Sequence, residues 1–419
     1  MSGHTSHKRF SLFPVLLTYF LDNFGLAIIY PIFTPIILLN SNPLIDTSAT
    51  FLQRTVMLGV LIGAFPFAQF IGSPLLGQFS DRYGRKKGFF ITILGTAIGY
   101  SFTAFSIMIH SVSLLFISRV LTGLFASNLT LCLAAIVDMS PDEHSRTKNF
   151  GHIAAIGGLS FILAIALGGF LSDRTFSQYF NPSIPFWITA LMAFLNFYCM
   201  IKLFHETHPS KNNLTVHPFK GFHNIKLALV NNELKLLYIG NFFFMLSWVA
   251  SMQFLPTFLI KNFSFSTANI TGAFILVGVL WSLTNFFVNR QLVKFFHPSS
   301  TLNACLLLLG LLLLGLIFAQ HTLGFLLLFY PAVSLASLCW TNSLANISLK
   351  ASNQIQGSIL GINQSMNSLA SMLAPPIGGL IAGTTQHGMY IFTGLSSLIA
   401  CYILWTANRR FPHHHPKRG

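Results

Sequence analysis

Long apolar runs separated by short polar breaks organise this chain from end to end. They lie near 10–38, 55–79, 88–109, 112–138, 150–172, 184–204, 234–260, 268–289, 301–319, 323–349, 356–383 and 387–407. Most hold about 20 or more residues, enough to cross the ~30 Å hydrocarbon core of a bilayer. A spanning backbone must satisfy its own hydrogen bonds, so the pattern predicts twelve transmembrane helices. Barrel strands are excluded, because runs such as LLLLGLLLLGLIF do not alternate lipid-facing with lumen-facing residues. The longest polar break, residues 205–233, divides the spans six and six. The fold class predicted is an all-α polytopic membrane protein: a six-helix bundle over 1–204, a cytoplasmic linker over 205–233, and a second six-helix bundle over 234–419 ending in a short basic tail. A shift of 210 residues superposes Gly151 on Gly361, Ala164 on Ala374, and Gly168-Gly169 on Gly378-Gly379. Such an echo between corresponding spans fits parallel repeats about an axis along the membrane normal.

Composition narrows this further. Of 419 residues, 53% are hydrophobic and only 8% charged. Soluble domains carry about a quarter charged residues, so the surface must face lipid. Lys and Arg number 24 against 9 acids, a net charge of +15. With the N-terminus inside, Arg54, Arg174 and Lys261 fall on the outer side, Arg119 lies within a span, and the other basic residues are all cytoplasmic. That bias predicts cytoplasmic N- and C-termini in an inner (plasma) membrane, and it replaces nucleic acid as the reason for the charge. The first span has no small-residue cleavage site and reads as uncleaved. The five cysteines sit in apolar runs without metal spacing and read as buried thiols. His413-His414-His415 reads as a solvated basic tail rather than a metal site. No metal or cofactor is predicted, and without a G-x-x-x-x-G-K-[ST] loop ATP does not drive the protein directly.

The most distinctive motif follows the second span: Gly77-Gln78-Phe79-Ser80-Asp81-Arg82-Tyr83-Gly84-Arg85-Lys86-Lys87. It ends one helix, makes a basic turn and starts the next. Gly77 is read as permitting close helix approach and Gly84 as permitting the turn. Asp81 is read as pairing with a neighbouring cation or capping a helix. After the fourth span, Ser140-Pro141-Asp142-Glu143 reads as a capping box that starts a short helix along the inner surface.

The motif resembles the signature G-x-L-x-D-R-x-G-R-[RK] of the major facilitator superfamily, with Phe79 in place of Leu. Asp22, Arg119-x-x-x-Gly123, Asp138 to Arg146, Pro185-Phe186-Trp187, and Gln356-Gly357 with Gly361, Ser365 and Pro375 resemble its drug:proton antiporter branch, which includes tetracycline exporters. The resemblance implies a twelve-helix major facilitator fold, and a cytoplasmic gate of Gly77, Asp81, Arg82, Gly84, Arg85, Lys86 and Asp138 that latches the inner side closed. Exporters of that branch carry Gly-Pro inside the fifth span, where this chain has Ala164-Ile165. Gly168, Gly169, Pro375, Gly378 and Gly379 remain as helix-bending or packing positions. The missing Gly-Pro counts against export.

Asp22 is the one acid in the middle of a predicted span. A carboxylate there must be protonated, paired or in a water cavity, which makes it a candidate proton carrier. Thr18, Gly25 and Ile29 share its helix face and suit a cavity wall. Arg119, counted from its span end, falls within ~5 Å of the depth of Asp22, so the two are read as a coupling pair. A competing reading has Arg119 bind an anionic substrate. Gln69, Asn128, Asn241, Gln253, Asn285, Asn342, Asn346, Asn363, Gln364 and Asn367 are also embedded. Interhelical hydrogen bonds explain most such residues. The family geometry makes Asn241, Trp248, Gln253, Asn342 and Asn346 the expected substrate cavity. The function expected is proton-coupled transport of a small-molecule substrate by a monomer in the lipid bilayer. Export of a drug or metabolite comes first, and movement of a polar anion such as a carboxylate siderophore second. A non-transporting sensor is the third reading.

Overall fold

The computed structural model describes residues 12–39, 44–46, 48–140, 142–207, 220–230, 234–349, 356–385 and 387–410. The histidine run of the tail lies outside them. The described chain is helical: α1 (Phe13–Ala27), α2 (Tyr30–Leu38), α3 (Phe51–Tyr83), α4 (Arg85–Met108), α5 (Val112–Phe125), α6 (Asn128–Met139), α7 (Glu143–Ser172), α8 (Ile184–Leu203), α9 (Lys220–Val230), α10 (Lys235–Phe263), α11 (Thr267–Leu283), α12 (Arg290–Phe295), α13 (Pro298–Gly315), α14 (Thr322–Ser348), α15 (Gln356–Thr384) and α16 (Gly388–Arg410). Among the described residues eleven helical segments are long and apolar enough to cross a membrane. The eleventh predicted span, 356–383, is α15 and is the one not among those segments. It is 29 residues long and carries a polar stretch, Asn363 to Ser371, of which Asn363 and Ser365 are buried.

Two predicted spans are built from two helices each. Pro31, which lacks an N–H, is the second residue of α2, after a break at Ile28-Ile29. The fourth span breaks at Ala126-Ser127, between α5 and α6. The eighth continues from α11 through a π-helical segment, Thr284–Asn289, into α12. The capping box expected at Ser140 is absent. Asp142 caps α7 instead, accepting from the Ser145 N–H at 2.7 Å, while the Ser140 hydroxyl turns back to the Ile136 carbonyl. No separate surface helix follows; α7 runs straight on to Ser172.

The longest helix, α3, spans 33 residues, or ~50 Å. It outreaches the hydrocarbon core and carries the signature turn beyond it. That end is called the loop end here, and the opposite one the far end. At the far end the N- and C-terminal halves press together through glycines. A Cβ on Gly59 would collide with the Pro375 carbonyl, and one on Gly379 with the Thr55 carbonyl. Gly63 lies against the Pro376 ring. On the other side of the molecule Gly169 meets Thr271, and Gly278 meets Ile162. Both glycine pairs related by the 210-residue shift therefore include a residue packed on the opposite half. Gly168 packs on Ile28 and Gly378 on Phe254, each within its own half. α15 stays helical through Pro375 and Pro376. At the loop end Gly151 and Gly361 face open space. There α9, within the 205–233 break, touches both halves: Phe222 meets the Phe70 ring edge-on at 5.0 Å, and Asn224 donates to Ser365 at 3.1 Å.

Candidate functional site

Three polar constellations stand out. The first surrounds the signature turn. Gly84 has φ 102° and ψ 151°, a conformation open to glycine and strained for other residues. A glycine cap has no side chain to satisfy the first N–H groups of α4. Glu206, arriving from beyond α8, does so: the N–H groups of Arg85 and Lys86 donate to its carboxylate at 2.8 and 3.0 Å. Arg85 pairs with Asp81 one turn earlier and with Asp138 at 3.0 Å, and Lys86 donates to the Ile201 carbonyl. Arg82 lies over the Tyr83 ring. Asp81 therefore pairs and does not cap, and Glu206 is the member that the sequence motif did not contain. Gly77 is a correction: nothing lies within 4 Å of a Cβ built there, so it permits no close helix approach. Both ion pairs lie within the N-terminal half, joining α3, α4 and α6, and neither of them bridges the halves.

Gly84→Ala is expected to cost about 1–3 kcal/mol of stability from backbone strain, and more where its Cβ displaces the Glu206 carboxylate. Thermal unfolding in detergent measures it; an unchanged midpoint would show that the turn relaxes freely.

The second constellation holds Asp22, 6% exposed. Asn128 Nδ2 donates to its Oδ1 at 3.1 Å, and the Leu129 backbone N–H is turned toward the carboxylate. The first residues of α6 thus point at the carboxyl group. Thr18, Ile93, Thr96, Tyr100, Ala193 and Asn196 complete a void of about 10 Å³ beside it, the lower limit for one water. Every one of these residues belongs to the N-terminal half. Asp22 therefore looks into its own bundle, and the wall of a cavity between the halves is not where it lies.

Arg119 is not its partner. Its guanidinium is fully buried between the rings of Phe65 at 4.7 Å and Phe33 at 5.4 Å, and none of its three nitrogens finds a hydrogen-bond acceptor. It lies nine residues before Asn128 along the fourth span, roughly 13 Å away along the axis. The depth estimate from span ends failed because helix offset and tilt are set by packing. Tyr100 lies within electrostatic reach of both groups.

The third constellation is in the C-terminal half. Asn241 Nδ2 donates to Asn363 at 2.8 Å and Asn367 at 2.7 Å, and its Oδ1 accepts from Ser343 at 2.5 Å. These amides, with Trp340, Met245 and Gln364, line a cavity of about 80 Å³. Of the five expected cavity residues only Asn241 lines it. Trp248 stacks on Trp281 at 5.3 Å, and Asn342 donates to Asn289 at the end of the π-helical segment. Gln253 Oε1 and both amide atoms of Asn346 are buried without partners. The sequence pattern placed Asn342 and Asn346 on one face; which neighbour meets that face depends on helix rotation, which periodicity does not encode.

The family model of the Major Facilitator Superfamily matches residues 15–359 and 292–419. A class H tetracycline resistance protein from Pasteurella multocida is 30% identical over 197 residues, covering 47% of this chain and 45% of that protein. The chain thus matches less than half of that relative's length. The quinolone resistance protein NorA of Staphylococcus aureus is 24% identical over 349 residues, covering 81% of this chain and 84% of that one. Among solved structures, a bacterial homolog of the human lysosomal transporter Spinster, inward-facing and occupied, superposes with a TM-score of 0.77 at 15% identity, covering 97% of this chain and 98% of that one.

Proposed function

The chain belongs to the major facilitator superfamily, a family of transporters, and is a multi-pass membrane protein; we propose that it is a proton-coupled secondary transporter that exports a small organic compound across the inner membrane. The observation carrying this reading is Asp22. It is the one acid in the middle of a predicted span, it is buried, and its described hydrogen-bond partner, Asn128, carries no charge. A carboxyl group so placed is costly unless it is used. The proton binds at Asp22 and the solute between the halves 1–204 and 234–419, each a six-helix bundle, which rock about their interface and admit it from one side at a time. The linker 205–233 and both termini lie in the cytoplasm, and the protein works as a monomer. The closed far end is then the outer side, and the structure is an inward-facing one. Export draws on the resistance proteins it resembles.

A second reading rests on Arg119. A buried guanidinium without an acceptor would receive a carboxylate, so the solute would be a polar organic anion. Vesicles of known orientation with an imposed pH gradient separate the readings, with tetracycline, a quinolone and citrate as probes. Accumulation of either drug against its gradient supports export. Movement of citrate alone supports the anion. No movement of any probe in either direction would favour a non-transporting sensor and overturn both.

In this scheme the loop-end cluster, whose ion pairs stay within one half in this inward-facing arrangement, regroups as the inner latch when the inner side closes. Asp81→Asn removes one of the two carboxylates on Arg85. It is expected to slow turnover several-fold, roughly the effect of about 1 kcal/mol on one step, with substrate affinity kept. Initial rates against substrate concentration test it, and normal turnover would contradict the latch.

A further inference from the structure

We propose that the break between α5 and α6 relays the protonation of Asp22 to α3, with Asn128 and Gln69 as the positioning residues on its two sides; this rests on the reading of Asp22 as the proton site. A proton taken up inside the N-terminal bundle moves the halves only if some element there has two arrangements. The interrupted fourth span is such an element.

On one face of the break α6 begins at Asn128, and its first free N–H groups need acceptors. The Asp22 carboxylate faces them, accepting from the Asn128 side chain with the Leu129 N–H turned toward it. A half-helix N-terminus aimed at a buried anion is stabilised by the helix dipole as well as by the hydrogen bonds. On the other face the Ala126 carbonyl, freed by the break, accepts from Gln69 Nε2 of α3 at 2.7 Å. Ser127 Oγ donates to Ser73 Oγ at 3.4 Å, and the backbones of Gly72 and Leu124 lie in close contact. α3 is thereby fastened to the break, and ten residues before Gln69, at Gly59, the same helix meets Pro375 of the other half.

The alternative arrangement is a continuous helix. The Ala126 carbonyl then takes the Thr130 N–H four residues on, and Gln69 is released. The charge on Asp22 favours the broken form by gripping the α6 N-terminus. A protonated Asp22 is a poorer acceptor, and the balance moves toward the continuous form. The proton transfers to a carboxylate oxygen of Asp22, and no other bond is made or lost beyond these hydrogen bonds.

Hydrogen–deuterium exchange of the amides over 125–131 tests this in full-length protein in nanodiscs, at pH 5.5 and 8, corrected for intrinsic exchange. Protection at these amides is expected to rise by roughly tenfold at the lower pH. The response is expected to vanish in Asp22→Asn. In Gln69→Ala, where the Ala126 carbonyl keeps only the long contact from Ser73 Oγ at 3.5 Å, the amides are expected to be protected at both pH values. A pH response that survives Asp22→Asn, or none in the wild type, would overturn the relay. Tetracycline or quinolone transport driven by a pH gradient is read in parallel. If Asp22→Asn leaves transport unchanged while the exchange response still depends on Asp22, the coupling role fails and the relay stands. If Asp22→Asn abolishes driven transport while the amides never respond to pH, the relay fails and the coupling role stands. Because Asn128 acts through Asp22, Asn128→Ala is expected to shrink the pH response of these amides and driven transport together while counterflow without a gradient is kept; an equal loss of counterflow would assign it a merely structural part.

Discussion

Asp22→Asn is expected to reduce pH-driven accumulation by about tenfold or more, to the level of protein-free vesicles, while the protein folds and still exchanges solute across the membrane. The amide is nearly the size of the carboxyl group. Its oxygen can still accept from Asn128, more weakly than a carboxylate does, and the side chain fills the same space beside the small void. What it cannot do is ionise. No second acid in the middle of a predicted span can substitute, because seven of the others lie outside the spans and Asp138 is the last residue of its own. Asp81 and Asp138 belong to the loop-end cluster, where their side chains are 46% and 19% exposed. Uptake by reconstituted protein under an imposed gradient, beside counterflow without one, separates the two activities. Undiminished accumulation would remove Asp22 from the mechanism.

Gly59→Val is expected to be as damaging, by a different route. Its Cβ enters the space of the Pro375 carbonyl and approaches the Gly379 Cα, both backbone positions that have little freedom to yield. Overpacking of this kind costs ~1–3 kcal/mol in a closed interface, enough to shift a conformational equilibrium by roughly tenfold or more. The far end then stays open and cycling stops, although each half keeps its own packing. Thr55 reports the outcome, since it is fully buried at this contact. A Thr55→Cys thiol is expected to resist a membrane-impermeant maleimide in the parent and to react in Gly59→Val. Equal labelling, with normal transport, would show that the far-end contact is not a gate. Gly379→Val approaches the same contact from α15 and is expected to behave alike.

These two positions differ in how far the chain itself announced them. Asp22 was evident at once, because an acid within an apolar run has few explanations. Gly379 was visible as half of a repeated pair, but Gly59 carried no mark; only its contact with α15 identifies it. The sequence also named Asn128 and Gln69 as embedded amides without a reason to join them, since their partners are 106 and 57 residues away in the chain. Glu206 was one acid in a polar linker until the fold brought it to the start of α4.

The amino-acid pattern alone determined the membrane class, the number and type of the spanning helices, the acid that must be explained and the glycine of the signature turn. All of these follow from local quantities: the length of an apolar run, the energy of a charge in hydrocarbon, the dihedral freedom of one residue. Tertiary structure alone decided that Asp22 faces α6 rather than Arg119, that Arg119 is left between two phenylalanine rings, and that Asn241 gathers Asn363 and Asn367 while Asn342 turns to Asn289. The offset, tilt and rotation of one helix against another arise from packing across the whole bundle, and a periodicity read along one helix is the same for every such arrangement.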